Sequence, residues 1–128
     1  MKSKNNTKYA GVHLLAEFWG NQMIDDVGRI KSILTKSAKV SHNTSLGVDA
    51  RKTSSGNISA FILLAESHIS IHAWPKIDYI AIDIFSCGQK SKPHKALEFL
   101  EKIFKPKKIK TKEIKRGVLK VEKNNKKS

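Results

Sequence analysis

The run Asn57–Ala65 (NISAFILLA) constrains the fold more than any other segment. It is nearly continuous in apolar residues and too short for a long helix, which predicts a buried strand. After it, His68–Trp74 (HISIHAW) alternates. Ile69 and Ile71 are expected on one face, and His68, Ser70 and His72 on the other. Pro75 ends that strand, and Asp78–Ser86 (DYIAIDIFS) predicts the next. Strands joined by such short connections pair antiparallel.

The remaining segments supply the cover. Tyr9–Trp19 reads as a strand, and Asn21 as the N-cap of a helix whose apolar face is Met23, Val27, Ile30 and Leu34. Gly28 weakens that helix without breaking it. Val40–Gly56 gives no clear element beyond the apolar patch Leu46–Val48. Pro93 opens a second helix with a stripe of Ala96, Leu97, Leu100, Ile103 and Phe104, and Pro106 stops it. Lys107–Lys115 and Val118–Lys123 are expected to form a final hairpin around Arg116-Gly117, between a polar leader, Met1–Lys8, and a tail, Asn124–Ser128. The order predicts an α+β two-layer sandwich, an antiparallel sheet covered by two helices, in one domain spanning 1–128. A sheet apolar on both faces calls for a second copy of the chain on its open side.

The net charge of +14 points first to a polyanion. Its placement argues otherwise. Residues 105–128 hold 11 Lys or Arg against Glu113 and Glu122, so +9 of the charge lies in this basic C-terminal segment. The cations are 22 Lys and only 3 Arg, whereas phosphate recognition favours the arginine fork. Nucleic acid is therefore not an expected partner. Cys87 is alone, which excludes an intramolecular disulfide and fits a reducing, cytoplasmic setting. No apolar run approaches the ~20 residues of a membrane span, and the N-terminus has no signal-peptide core.

Candidate chemistry gathers between Ser67 and Cys87, where Ser67, His68, His72, Asp83 and Cys87 fall within 21 residues. Each has a plain reading as a turn, sheet-face or core residue, except that a carboxylate inside an apolar strand (Asp83) needs a partner. His68 and His72 are four apart, but no Glu follows His68, the segment alternates as a strand, and no CxxC accompanies Cys87. No metal is expected. No G-x-S-x-G elbow surrounds Ser67.

Residues 12–19 (VHLLAEFW), 65–75 (AESHISIHAWP), 82–88 (IDIFSCG) and 113–117 (EIKRG) resemble the short prokaryotic S-adenosylmethionine decarboxylases, over Tyr9 to Gly117. The resemblance implies a pyruvoyl-dependent decarboxylase of polyamine synthesis that cleaves itself between Glu66 and Ser67, into a β chain of residues 1–66 and an α chain of residues 67–128. Ser67 would become the pyruvoyl group that forms a Schiff base with the substrate's α-amine. His72 would be the processing base, Ser59 would assist, and Cys87 would return a proton to the substrate. Two cleaved protomers would assemble as an αββα homodimer with shared sites.

The substrate-binding positions Glu17, Thr53 and Lys76 depart in part from that pattern. The family carries an aromatic residue in the loop before Ser59, where this chain has Ala50–Gly56 with Thr53 and no aromatic, and a glutamate after the Trp-Pro pair, where Lys76 stands. An ammonium accepts no hydrogen bond from a ribose hydroxyl. The chemistry residues are intact. S-Adenosylmethionine is thus one expected substrate, and L-ornithine or L-arginine another, with Glu17, Asp49 or Asp78 meeting the cationic side chain. A catalytically silent regulatory homologue is the third expectation.

Overall fold

The computed structural model describes residues 7–87 and 91–120. Strands β1 (Thr7–Lys8), β2 (Gly11–Trp19), β3 (Ser45–Lys52), β4 (Ile58–Leu64), β5 (Ser67–Trp74), β6 (Tyr79–Cys87), β7 (Lys108–Arg116) and β8 (Leu119–Lys120) accompany helices α1 (Val27–Val40) and α2 (Pro93–Phe104). Six strands form one antiparallel sheet in the order β3-β4-β5-β6-β2-β7, and β1 pairs with β8 in a separate ribbon. The expected α+β sandwich is the one observed. No described helix is long and apolar enough to cross a membrane.

The period-two pattern builds the core. Ile58, Ile62, Ile69, Ile71, Ile80, Ile82 and Ile84 point to one face and are at most 1% exposed. Ile30 and Leu34 of α1 and Leu100 and Phe104 of α2 belong to the same buried cluster. Alternate residues point to the other face, where Phe61 and Leu63 remain 43% and 45% exposed. The apolar run therefore divides between a covered and an open face, rather than being buried on both.

Several expectations need correction. Helix α1 is capped by Asp26, whose carboxylate accepts from the Gly28 amide at 2.9 Å. Asn21 instead donates from Nδ2 to the carbonyls of Phe18 and Asp78, at 3.0 and 2.8 Å, tying the end of β2 to the β5–β6 turn. Met23, expected on the helix's apolar face, packs on the core from a non-helical lead-in. The unassigned stretch holds β3, an edge strand in which only Ala50 is fully buried, so it lacks a strong apolar alternation.

The expected terminal hairpin does not form. β7 pairs with β2, and β8 pairs with β1. Gly117, at φ 70°, sits so close to Ala10 that an added Cβ would lie 2.7 Å from the alanine Cβ. Its left-handed backbone lets the chain pass from one pairing to the other. Thr7 and Lys8, expected in the leader, form β1. Residues 1–6 of the leader, 121–123 of the hairpin and 124–128 of the tail lie outside the described residues, as does Gly88.

Candidate active site

The Glu66–Ser67 bond lies at the tip of the β4–β5 hairpin, and Ser67 opens β5 opposite Leu64 and Ser86. The tip is anchored twice to Thr44: the Ala65 amide donates to the Thr44 carbonyl at 2.9 Å, and the Thr44 amide donates to Glu66 Oε1 at 3.1 Å. At the end of β6, Cys87 donates both its amide, at 3.1 Å, and its thiol, at 2.7 Å, to the Glu66 carbonyl oxygen. A carbonyl held by two donors is polarised toward attack and prepared to carry negative charge. Beside it lies a cavity of about 380 Å³ bordered by Tyr9, Gly11, Ser86, Cys87 and Pro93. The Ser86 and Ser91 hydroxyls are hydrogen-bonded at its wall.

Ser59 and His72 face each other across β4 and β5, with Ser59 Oγ 3.2 Å from His72 Nδ1. Sequence reasoning pairs these two, and they do meet. They do not meet Ser67. Five residues of β5 separate Ser67 from His72, about 17 Å at ~3.3 Å per residue. The candidate residues thus form two groups at opposite ends of the β4–β5–β6 strands: Glu66, Ser67 and Cys87 at one, Ser59 and His72 at the other. His68 and His72 are about 13 Å apart by the same spacing, too far to share one ion.

Between the groups lies a polar network that the sequence reading left unassembled. Asp83 accepts from His13 Nε2 at 3.1 Å and from Ser70 at 3.3 Å, which supplies the partners its carboxylate requires. The signal was available in the parity of the strands, since Ser70 and Asp83 are direct cross-strand partners. His68 stacks on Phe61 and tilts against Phe85. Burial first, then the neighbouring His13, hold His68 below the usual histidine range, outweighing the opposing pull of Asp83.

The expected substrate positions are scattered. Glu17 accepts from the Tyr79 hydroxyl at 2.7 Å, and burial together with this carboxylate pushes the phenol up to about 12. Trp19 and Trp74 flank Tyr79, another residue absent from the sequence reading. Thr53 is exposed in the β3–β4 turn, its hydroxyl occupied by Ser55 and the Asn57 carbonyl. Lys76 is exposed in the short 3-10 turn Pro75–Ile77.

The sheet thus carries a carbonyl held by two donors at one hairpin tip and a Ser-His pair at the far end of the same strands, groups of the kind used in nucleophilic catalysis. The S-adenosylmethionine decarboxylase family pattern matches residues 12–117. The chain is 38% identical over 117 residues to the S-adenosylmethionine decarboxylase proenzyme of Methanococcus maripaludis strain C7, covering 90% of this chain and 96% of that protein. It is 40% identical over 116 residues to that of a Sulfurihydrogenibium species, covering 89% and 87%. The crystal structure of the adenosylmethionine decarboxylase from Aquifex aeolicus superposes with a TM-score of 0.83 at 31% identity, over 92% of this chain and 99% of that one. The chain belongs to the S-adenosylmethionine decarboxylase family.

Proposed function

We propose that this chain is a self-cleaving decarboxylase of α-amino acids, made active by cutting its own Glu66–Ser67 bond. The observation that carries the reading is the pair of hydrogen bonds from Cys87 to the Glu66 carbonyl. Ser67 Oγ attacks that carbon, and the oxyanion that forms is held by the Cys87 amide and thiol. Collapse breaks the amide bond, frees the Ser67 nitrogen and leaves Glu66 as an ester on Ser67 Oγ. Removal of the Ser67 α-proton then expels the Glu66 carboxylate, and water replaces the resulting enamine nitrogen, releasing ammonia and leaving a pyruvoyl group on residue 67.

His72 is the base for the α-proton and Ser59 holds its ring through Nδ1. The ~17 Å between His72 and Ser67 on one strand means that His72 comes from a second copy. A face-to-face homodimer over the open sheet covers Phe61 and Leu63 and brings the Ser59–His72 end of one protomer to the Ser67–Cys87 end of the other. Each of the two equivalent sites is then built from both chains.

The residues fit a pyruvoyl group: Ser67 is the right precursor, at an anchored tip beside a cavity. Once formed, the group supplies an electrophilic ketone that accepts electrons when substrate carboxylate leaves as CO₂. Cys87, at the same carbonyl, is placed to return a proton to the substrate α-carbon. S-Adenosylmethionine is the first substrate to test, given the family. A second reading, an amino acid with an amine or guanidinium side chain, is favoured by Thr53, which offers no aromatic surface for a base, and by Lys76, whose ammonium offers no acceptor for ribose hydroxyls.

Denaturing mass measurement of freshly purified protein tests the reading. Two fragments meeting at Glu66/Ser67 are expected, the second lighter by one ammonia than a serine-started peptide. A single chain that persists after long incubation would mark a catalytically silent homologue.

A further inference from the structure

Among the carboxylates expected to meet a cationic side chain, the structure separates one from the rest. Glu17 is engaged by the Tyr79 hydroxyl. Asp78 caps the exposed 3-10 turn and borders no described cavity. Asp83, the other open-face carboxylate, is engaged by His13 and Ser70. Asp49 stands opposite Phe61 on β3 and lines a cavity of about 330 Å³ together with Arg51, Ser59, Phe61, Ser70 and His72. It therefore shares a cavity with the Ser59–His72 pair.

We propose that Asp49 sets substrate choice by binding a hydrogen-bonding cation, an amine or guanidinium, at the end of the substrate's side chain; the proposal rests on the decarboxylase reading above. Asp49 lies two strands and two residues from His72, about 12 Å between backbones at ~4.8 Å per strand and ~3.4 Å per residue. Both side chains reach into the intervening space, which leaves room for an aliphatic stem of a few bonds. Phe61 forms an apolar wall for that stem. The cavity is at the small end of the range for ligand pockets.

Arg51 already contacts Asp49 at 3.1 Å, but this guanidinium is 81% exposed. Such exposed pairs are weak and exchange readily. The Ala50 amide, and after it Arg51, hold the Asp49 carboxyl below its ordinary range, so it is ionised at neutral pH. A carboxylate rewards N–H donors, which an amine and a guanidinium carry and a sulfonium does not.

The test uses cleaved, full-length protein with L-ornithine, L-arginine and S-adenosylmethionine, measuring kcat and KM separately, and calorimetric binding of the product amines 1,4-diaminobutane and agmatine. Turnover of L-ornithine or L-arginine is expected. Asp49→Asn should raise KM for that substrate about tenfold or more and weaken product binding by a similar factor. Arg51→Ala, which removes the competing cation, should lower KM. Turnover confined to S-adenosylmethionine overturns the inference and leaves the decarboxylase reading standing. So does an Asp49→Asn variant with unchanged KM and product binding, or an Arg51→Ala variant with raised KM. Wild-type protein that never cleaves removes both.

Discussion

Cys87 donates twice to the carbonyl oxygen of Glu66, through its amide at 3.1 Å and its thiol at 2.7 Å. Replacing the thiol removes one of the two donors at the position where negative charge develops. Loss of one such donor slows reactions by about 10²–10³. Cys87→Ala should slow appearance of the two fragments by about a hundredfold, and Cys87→Ser, which retains a donor, should recover part of that. Timed gel analysis of fresh protein checks this; equal rates for all three would remove Cys87 from processing.

Ser67 and His72 cannot meet within one chain at their ~17 Å spacing. Ser67→Ala and His72→Ala should therefore each fail to cleave alone yet complement each other when co-expressed. Only the His72→Ala chain, which keeps Ser67, should be cut, using the histidine of its companion. Distinct tags on the two chains show which is cleaved, and silence in the mixture would argue against the shared site.

The lowered pKa of His68 makes stability depend on pH. Above about 6.5, the ordinary histidine value, folded and unfolded chains both carry it neutral. As pH falls through that value, the unfolded chain takes up a proton that the folded one refuses, so stability drops until the folded pKa is also passed. Melting temperatures at pH 7.5 and 5.5 should fall less in His68→Gln than in the wild type. An identical fall would show that His68 does not carry the acid sensitivity.

At the start of α1, the Asp26 side chain accepts from the Gly28 amide. Asp26→Ala should cost about 1 kcal/mol of stability by loss of the cap. Urea unfolding read by circular dichroism gives the value, and no change would place the true cap elsewhere.

The sheet was readable because burial imposes a period of two. Ile69 and Ile71 turn inward and His68, Ser70 and His72 outward, as their alternation requires. The Ser59–His72 pair was readable only as a resemblance, because cross-strand register depends on a turn whose length must be known in advance. β3 and the β7–β2 pairing were not readable for a shared reason. Both are edge strands with much solvent exposure, so their sequences record solubility more than burial. Asn21 and Asp26 rank alike as caps, but Asn21 alone can donate, and its amide is taken by the Phe18 and Asp78 carbonyls.

The strand order also decides the fate of the chain after a cut at Glu66–Ser67. Across the sheet, β3 and β4 come from the first piece, β5 and β6 from the second, then β2 from the first and β7 from the second. The pieces are interleaved, so every route to separation breaks the ladders β4–β5, β6–β2 and β2–β7 together. A cut at this tip is a nick in a woven sheet: the new ends gain freedom, and the two halves stay bound as firmly as the fold itself.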